Sequence, residues 1–429
     1  MIQELPLDFL DTPLSEVGPE IADELERLQQ RLQLVGSESV VASRLPECRG
    51  SVRNVEIAER LAVDRACRLF GAEHANVKPH SATQANAAVY RALLEPGATI
   101  LALDPTHGGQ IAPGAPADIS GSPYRVVTYH VDRDTSMVDM NDVERLALEH
   151  QPGLILAAWS AYPRVLDFQR FRAIADAVGA YLLVDMSHFA GLVAAGLHPN
   201  PVPFADVVTT TIYKTLGGTR GGMILSTEPL AGRIATQVHA GPDSGVLAHE
   251  IAGKAVTLGI AASDSYRERQ ERALAGARAV AARLLRAGHG IGVLTGGTDV
   301  HLVLCDLRES AVDGLGGEAR LASVGITVSR VAMPFDPRPH VVSSGLRIGT
   351  QALASRGLQV KDFAEVGAII ADALNPYGFA DRHAGLAERA AAIVDRYPLY
   401  SRAAAPAPGH GVVVNFPRSP LAPAAAAAS

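Results

Sequence analysis

The lysine Lys214 lies in the stretch VVTTTIYKTLGGTRGG (207–222), with threonines before it and glycines after it. Three explanations suit such a lysine: a phosphate-binding loop, a covalent cofactor anchor, or an ordinary surface residue. A nucleotide-binding loop needs glycines before its lysine, because they let consecutive backbone N–H groups wrap the phosphates. Thr-Ile-Tyr precedes Lys214 instead, which excludes that loop. The other functional explanation is a partly buried lysine at a strand end, whose lowered pKa makes the amine available for a Schiff base.

A carboxylate suited to such a Schiff base precedes the lysine in the chain. Asp185 ends the apolar run YLLVD (181–185), so we expect it at the carboxyl edge of a parallel sheet, where open α/β folds bind ligands. There it could keep the ring nitrogen of pyridoxal 5′-phosphate protonated, which the cofactor needs to act as an electron sink. An ordinary strand-end aspartate is the alternative.

Two further stretches could bind the rest of that cofactor. Ser81 and Thr83 precede the helical run ANAAVYRALL (85–94), so hydroxyls and free amides could converge on the 5′-phosphate. A simple helix cap is the alternative there. His107, in DPTHGG, could lie flat against the cofactor ring, although a single loop histidine is more often structural or solvated.

A candidate group for the substrate lies near the end of the chain. An amino acid carries a carboxylate, which an arginine fork binds well. Arg347, in SSGLRIGT (343–350), is flanked by small residues in an apolar strand, where an unpaired charge is costly. A structural ion pair is the competing explanation. The sequence therefore predicts an amino-acid-type small molecule as substrate.

The composition excludes several other classes of protein. The chain has 429 residues, 48% of them hydrophobic, and a formal net charge of -7. This balance argues against binding to nucleic acid or to an anionic membrane surface, and no apolar run approaches the ~20 residues that span a bilayer. The start lacks the pattern of a signal peptide, so we predict a cytoplasmic protein. The cysteines Cys48, Cys67 and Cys305 are too scattered to predict a disulfide framework or a metal site.

The order of apolar runs predicts an α/β fold with a mostly parallel sheet. Helical patterns alternate with strand-like runs, and FQRFRAIADAVGA (168–180) places its apolar residues on one helix face. Some of the short runs could instead be buried helix. The predicted strands of this sheet are TILALD (99–104), RVVTYHV (125–131), LILAAW (154–159), YLLVD (181–185), ADVVTTT (205–211) and GMILS (222–226).

The pattern also predicts the domain boundaries. We expect an N-terminal helical segment over 1–50, with a helix in IADELERLQQRLQL (21–34), and a large cofactor-binding domain over 51–290. A smaller C-terminal α/β domain is expected over 291–400, and a disordered Ala/Pro-rich tail over 401–429. The predicted elements of the smaller domain are strands in VHLVLCDL, ITVSR and SSGLRIG and helices over 354–375 and 380–396.

These stretches together resemble serine hydroxymethyltransferases, which are pyridoxal-phosphate enzymes of fold type I. The segment VDMSHFAGLVAAGLHPNPVPFADVVTTTIYKTLGGTRGG (184–222) is similar nearly residue by residue to the lysine region of that family. Further matching stretches extend the resemblance over about residues 30–400. They are RLFGAEHANVKPHSATQANAAVYRALLEPG, HEIAGKAVTLG, TGGTDVHLVL and SSGLRIGTQALASRG.

The resemblance implies roles for the matching positions. Lys214 would carry the cofactor, Asp185 would hold its ring nitrogen, and His107 would stack on its ring. Tyr213, beside the lysine, is a further catalytic candidate. The phosphate would contact Ser81, Ala82 and Thr83. The remaining cofactor positions are Ser160 and His188, near the ring oxygen, with Thr211 and Gly245.

The substrate and assembly follow from the same resemblance. Ser37 and Arg347 would bind the substrate carboxylate, and Arg220 also falls on an active-site position of the family. Family members form dimers in which the neighbouring subunit completes each site, so the resemblance implies a homodimer.

Departures from the family pattern fall mainly on positions that contact the pterin or handle protons. A short SRLPECRGSVRN (43–54) replaces a longer segment that ends in a tyrosine pair. Cys48 and Arg49 fall where the tyrosines would be, and Glu47 is a doubtful stand-in for the family's glutamate. His239 in HAGPDSG (239–245) replaces a phenylalanine, Tyr213 replaces a histidine, and an asparagine is missing near Val331.

The departures predict an open site, because a shorter loop without bulky tyrosines leaves more volume beside the cofactor. The leading hypothesis is therefore a folate-independent enzyme of specialised metabolism that performs aldol-type transfer or cleavage, as threonine transaldolases do. Three alternatives remain open: a lyase or decarboxylating deaminase on a cysteine conjugate of the lincosamide-antibiotic type, a genuine serine hydroxymethyltransferase, and an inactive cofactor-binding paralogue.

Overall fold

The computed structural model describes residues 32–33, 52–110, 123–239, 247–339 and 341–399. Within them the strands are β1 (Leu32–Gln33), β2 (His74–Asn76), β3 (Thr99–Leu103), β4 (Arg125–Tyr129), β5 (Leu154–Ala158), β6 (Tyr181–Asp185), β7 (Val207–Thr211), β8 (Gly222–Ser226), β9 (Gly292–Val293), β10 (Leu302–Asp306), β11 (Ile326–Thr327), β12 (Ser329–Val331) and β13 (Gly345–Gly349). The helices are α1 (Val52–Phe70), α2 (Ala82–Leu93), α3 (Met140–His150), α4 (Phe168–Val178), α5 (Ala190–Ala194), α6 (Glu228–His239), α7 (Ala248–Ala261), α8 (Asp264–Leu284), α9 (Gly314–Ser323), α10 (Gln351–Ser355), α11 (Val360–Leu374) and α12 (Phe379–Arg396).

A seven-stranded sheet of order β2-β8-β7-β6-β5-β3-β4 confirms the predicted mostly parallel sheet. The strands from β7 to β4 run parallel, and β8 is antiparallel to both of its neighbours. Every residue of β5, β7 and β8 is buried. Helices cover both faces of such a sheet, which explains why these strands are continuous apolar runs rather than alternating ones.

Helix α4 shows how the local sequence sets the helices between these strands. The side chain of Asp167 accepts a hydrogen bond from the Arg170 amide and begins the helix. Gly179, with a φ of 68°, ends it in the left-handed conformation that glycine adopts without strain. The predicted helix in this segment is confirmed.

The carboxyl ends of the parallel strands bring the candidate site together. Strands β3, β5, β6 and β7 are neighbours, and the segments that follow them carry His107, Ser160, His188 and Lys214. Because parallel strands end at the same edge, residues far apart in sequence meet there.

A second, antiparallel sheet of order β12-β13-β10-β9 carries Arg347 on β13. Arg347 pairs across the sheet with Leu304 and Ser329. One face of this sheet packs with α8 and α11 in a hydrophobic core that contains Val303, Leu346 and Ile348, whereas Leu302 and Leu304 of β10 pack into a core of the large sheet. The described residues up to Leu399 form one compact unit, and the division at residue 290 stays a prediction.

Three predicted elements are wrong in part. The helix expected over 354–375 is two helices, α10 and α11, because Gly357 adopts a left-handed φ of 97° and Gln359 begins a new helix by donating its amide to Asp362 Oδ2 at 3.0 Å. Leu32 and Gln33, expected in a helix, form β1 and pair with β11. The other residues of that predicted helix lie outside the described chain. The run ITVSR contributes to two sheets through β11 and β12 rather than to one strand.

No helix in the described part of the chain has the length and apolar character to cross a membrane.

The close packing of α8 on α11 gives a stability prediction. A Cβ added at Gly276 would lie 2.6 Å from the ring of Phe363, which is fully buried. We expect Gly276→Ala to lower the free energy of unfolding by about 1–3 kcal/mol through overpacking. The matched control is Gly385→Ala in α12, where no heavy atom lies within 4 Å and alanine should stabilise by about 0.4–1 kcal/mol. Urea unfolding of the two variants measures both effects, and equal midpoints would contradict the packing described.

Candidate active site

The amine of Lys214 lies in a buried, mixed-charge environment. Its Nζ is 3.1 Å from Nε2 of His188. Burial lowers the pKa of the Lys214 ammonium, Asp185 opposes this shift, and Arg347 and Arg220 add to it. A lysine with a lowered pKa has more neutral amine at a given pH, and the neutral amine is the nucleophile.

His188 is a neutral hydrogen-bond partner for that amine. Burial, followed by the charges of Lys214 and Arg347, lowers the pKa of the His188 imidazole well below its ordinary value. With Nε2 accepting from Lys214, the ring proton belongs on Nδ1. That nitrogen is buried and has no hydrogen-bond partner within the described chain. A buried donor without a partner suits a ligand with an acceptor oxygen.

The carboxylate of Asp185 is 1% exposed and is held by neutral donors. Its Oδ2 accepts from Asn86 Nδ2 at 2.8 Å and from Gln110 Nε2 at 2.7 Å, and its Oδ1 accepts from the Ser187 amide at 2.9 Å. Asn86 is itself fixed, because its Oδ1 accepts from the Thr209 hydroxyl at 2.6 Å. None of these partners is a cation, so the carboxylate can still bind a protonated ring nitrogen.

His107 lies in a 3-10 turn directly after β3. Its Nδ1 accepts from the Val131 amide at 3.2 Å, which fixes the ring and places the proton on Nε2. The ring packs edge-on against His130, with a centroid distance of 5.1 Å, and against Phe335 at 4.7 Å. Burial lowers the pKa of His107, with Asp104 opposing and His130 and Arg133 adding to the shift. The imidazole ring is therefore neutral and held in one orientation.

Arg347 is a partly buried cation directed at the segment after β5. Its Nη1 donates to the Ser160 carbonyl at 2.8 Å, and Ser160 Oγ donates to the Gly109 carbonyl at 2.9 Å. Arg347 has no carboxylate within ion-pair distance among the described residues, and its buried Nε has no hydrogen-bond partner there. Within the described chain, the structural ion pair that could have explained this arginine is thus missing.

The first turn of α2 offers donors for an anion. Ser81 is the N-cap, and its Oγ accepts from the Gln84 amide at 3.1 Å, so the cap role weighed for this serine is real. The amides of Ala82 and Thr83 belong to the first turn, where no intrahelical acceptor exists. The Thr83 side chain is exposed. The cap and an anion site are compatible, since the hydroxyl proton of Ser81 remains available.

The segment around Lys214 is fixed by buried contacts. Three side chains donate to the Thr215 carbonyl: Tyr266 Oη at 3.0 Å, Gln270 Nε2 at 3.2 Å and Gln351 Nε2 at 3.3 Å. On the other side of the lysine, the guanidinium of Arg220 lies 4.7 Å above the ring of Tyr213. The Thr211 amide donates to Ser187 Oγ at 3.0 Å, which ties β7 to the segment after β6.

Comparison with known proteins assigns this arrangement to a family. The sequence profile of serine hydroxymethyltransferase matches residues 11–370. The chain belongs to the serine hydroxymethyltransferase family. It is 51% identical to the serine hydroxymethyltransferase of Leifsonia xyli subsp. xyli over 93% of this chain and 98% of that protein. It is 50% identical to serine hydroxymethyltransferase 1 of Mycobacterium tuberculosis over 91% and 95%, and 49% identical to the serine hydroxymethyltransferase of Kocuria rhizophila over 90% and 97%.

Family membership confirms the predicted cofactor, enzyme class and fold. Serine hydroxymethyltransferases are pyridoxal-phosphate-dependent enzymes of fold type I. The described residues fit that cofactor: Asp185 is a buried carboxylate without a cation, His188 Nδ1 is a buried donor without a partner, and Lys214 has a lowered pKa.

The structure brings most predicted site residues to one sheet edge, but not all can be placed. Ser37, Gly245, Glu47, Cys48 and Arg49 lie outside the described residues. His239 is exposed at the end of α6, and Val331 lies in β12. The individual roles stay predictions.

Sequence reasoning missed the residues that hold Asp185. Asn86 carried a signal, because it is the one polar side chain in the apolar helical run ANAAV. Gln110, which follows the two glycines after His107, carried none. Their hydrogen bonds join residues 99 and 75 positions apart, respectively, and only the folded chain shows such pairs.

Asn86 gives a testable prediction for cofactor binding. Asn86→Ala removes one neutral donor from the Asp185 carboxylate and leaves the Thr209 hydroxyl without its acceptor. We expect the affinity for pyridoxal phosphate to fall about tenfold, because a hydrogen bond to a buried charge is lost. Asn141→Ala, at an exposed position of α3, is the control and should bind as the wild type does. Equilibrium dialysis checks both, and unchanged affinity of Asn86→Ala would show that Asn86 does not orient Asp185.

Proposed function

We propose that the chain interconverts serine and glycine by cleaving and forming the Cα–Cβ bond, with tetrahydrofolate accepting the one-carbon unit. The observation that carries the proposal is that Arg347 has a buried Nε and no carboxylate partner among the described residues. It lies in the same site as Lys214, whose pKa is lowered, and Asp185, whose hydrogen-bond partners are neutral. An amino-acid substrate would bring the carboxylate that Arg347 lacks. Relatives 49–51% identical over nearly their full length carry the name serine hydroxymethyltransferase, which favours this reaction.

Each side chain near the ring has a task that its contacts support. Lys214 holds the cofactor through its amine, and His188 Nε2 orients that amine from 3.1 Å. Asp185, aligned by Asn86 and Gln110, keeps a proton on the ring nitrogen. Bound pyridoxal phosphate then supplies an electron sink for the bonds at Cα. His107, neutral and fixed by the Val131 amide, covers a face of the ring and excludes water.

Arg347 selects and orients the substrate. Ser160 occupies its Nη1, which leaves the edge formed by Nε and Nη2 for a carboxylate. Two parallel N–H···O bonds on that edge would fix the substrate in one orientation. A fixed carboxylate determines which bond at Cα is aligned with the cofactor, so Arg347 contributes to reaction specificity as well as to affinity.

Further assignments belong to the same proposal. The 5′-phosphate binds at Ser81, Ala82 and Thr83, and Ser160, His188 and Thr211 are the other described cofactor positions. Tyr213, stacked under Arg220, replaces a histidine of the family and handles protons beside Lys214. A homodimer and a cytoplasmic location stay predictions.

The main alternative to this proposal is the folate-independent enzyme. That hypothesis rests on the positions at which the chain departs from the family pattern. The shortened loop at 43–54 lies almost entirely outside the described residues, and His239 is exposed at the end of α6. The names of the relatives favour the hydroxymethyltransferase over the aldol, lyase and decarboxylating hypotheses.

The deciding experiment incubates the holoenzyme with serine, with and without tetrahydrofolate. We expect glycine to form rapidly only when tetrahydrofolate is present. Cleavage of threonine to glycine and acetaldehyde, at a rate that tetrahydrofolate does not change and that exceeds serine turnover, would overturn the proposal in favour of the aldol enzyme. Release of pyruvate and ammonia, or of carbon dioxide, would favour the lyase or the decarboxylating deaminase.

A substitution at Arg347 tests its task directly. Arg347→Lys keeps the positive charge but loses the two parallel N–H donors of the guanidinium, so kcat/KM for serine should fall about a hundredfold. Most of the loss should appear in KM, with cofactor affinity unchanged. Arg145→Lys, on the exposed surface of α3, is the control and should leave both constants at their wild-type values. A normal KM in Arg347→Lys would show that another group binds the carboxylate.

A further inference from the structure

A second buried lysine, Lys254 of α7, has no part in the chemistry described above. Its side chain is 0% exposed. Its Nζ donates to the carbonyls of Val77 at 2.7 Å and Pro79 at 2.8 Å. Among the described residues it has no carboxylate within ion-pair distance. Within the described chain, these two backbone carbonyls are the hydrogen-bond acceptors of the ammonium, which is a costly environment for a buried ion.

The carbonyls that Lys254 binds belong to the loop that enters α2. This loop runs from Val77 to Ser81, the N-cap of α2. The Pro79 carbonyl also accepts from the Gly222 amide at 2.8 Å. Lys254 thus holds the backbone directly before the first-turn amides of Ala82 and Thr83.

Two glycines of the Lys214 segment are required by this arrangement. A Cβ at Gly221 would lie 2.4 Å from Cε of Lys254, and a Cβ at Gly222 would lie 2.3 Å from the Ser81 carbonyl oxygen. The lysine, the glycine pair and the N-cap loop are therefore in direct contact. A side chain larger than glycine at position 221 would occupy the space that the Lys254 side chain fills.

Glu250 is the carboxylate that acts on the charge of Lys254, and it does not lie within ion-pair distance of the ammonium. Burial lowers the pKa of its ammonium to about 8, and Glu250, one turn earlier on α7, opposes that shift. Around Lys254, Arg65 of α1 donates to the Ala255 carbonyl, and Arg220 precedes the glycine pair. Lys78 and His80 lie in the loop, and Lys78 pairs with Glu59 of α1 at 3.1 Å. The helix α1 also carries Glu56 and Asp64. Because Glu59 is paired with Lys78, an anion on the far side of the loop would still be favourable for Lys254.

We propose that Lys254 is a positioning residue for the cofactor phosphate, holding the Val77–Ser81 loop so that the first-turn amides of α2 face the phosphate and offsetting its negative charge through that loop. This inference rests on the placement of the phosphate at Ser81, Ala82 and Thr83 proposed above. Lys254 forms no bond with substrate, and its effect is specific to ligands that carry the phosphate.

The test compares pyridoxamine phosphate with pyridoxamine, since neither forms a covalent bond with Lys214. Lys254→Gln removes the charge but keeps N–H donors for the loop, and Lys254→Met removes both. We expect the affinity for pyridoxamine phosphate to fall about tenfold in Lys254→Gln and further in Lys254→Met, with that for pyridoxamine unchanged. Thr257→Val, on the same buried helix, is the control and should leave both affinities unchanged. Equal weakening of the two ligands, or none, would overturn the proposal.

A separate variant tests the phosphate placement itself. Ala82→Pro removes one amide N–H at the first position of α2, where proline is tolerated, and Ser81 already has the extended conformation that precedes proline. It should weaken pyridoxamine phosphate alone. An unchanged affinity here would refute the phosphate placement, whereas a loss here with none in Lys254→Gln would refute only the role of Lys254.

A measurement on the wild-type protein covers the case in which the Lys254 variants do not fold. The sequence has four lysines, Lys78, Lys214, Lys254 and Lys361, so a protein labelled with 13C-lysine gives few side-chain signals. Replacing Lys78, Lys214 and Lys361 by arginine in turn assigns the remaining signal to Lys254. Its pKa should rise when pyridoxamine phosphate binds and stay constant with pyridoxamine. An equal pKa with both ligands would contradict the proposal.

Discussion

The described site and the loop beside it contain three charged side chains without an ion-pair partner among the described residues. Asp185 is held by two amide side chains and one backbone amide, Arg347 by one carbonyl, and Lys254 by two carbonyls. Isolated buried charges are costly unless they are paired. A pyridoxal-phosphate-bound amino acid carries the complementary groups in one molecule: a protonated ring nitrogen, a carboxylate and a phosphate. Such a ligand would therefore supply charges opposite to those of Asp185, Arg347 and Lys254.

The sheet topology makes this arrangement possible. Four adjacent parallel strands deliver His107, Ser160, His188 and Lys214 to one edge, and the antiparallel β13 brings Arg347 to the Ser160 carbonyl. The Thr215 carbonyl, with donors from α8 and α10, anchors the segment that follows the reactive lysine. His107, Ser160, His188 and Lys214 lie in segments that follow buried strands, whereas Asp185 and Arg347 lie in strands. Buried strands and helices fix the backbone on either side of these residues.

Much of the fold could be predicted from the sequence, and the roles of the site residues stay predictions. Buried parallel strands leave continuous apolar runs, and Lys214, Asp185 and Arg347 are conspicuous because charges in or next to such runs need a reason. The helix over 354–375 was misjudged because its apolar pattern continues across Gly357, whose left-handed φ ends the first helix. The partners of Asp185 could not be predicted, since hydrogen bonds between Asn86, Gln110 and Asp185 depend on how distant segments meet. The pattern of substituted positions suggested a changed reaction, whereas relatives at about half identity favour the family's own reaction.

The central claim is that Lys214 alone carries the cofactor, at the edge of the sheet and beside Asp185. Borohydride reduction of the holoprotein fixes the cofactor to whichever lysine holds it, and digestion with mass spectrometry locates the modified residue among the four lysines of the chain. We expect a single pyridoxyl group on the peptide that contains Lys214. A pyridoxyl group on Lys78, Lys254 or Lys361, or a protein that binds the cofactor without any reducible bond, would contradict it.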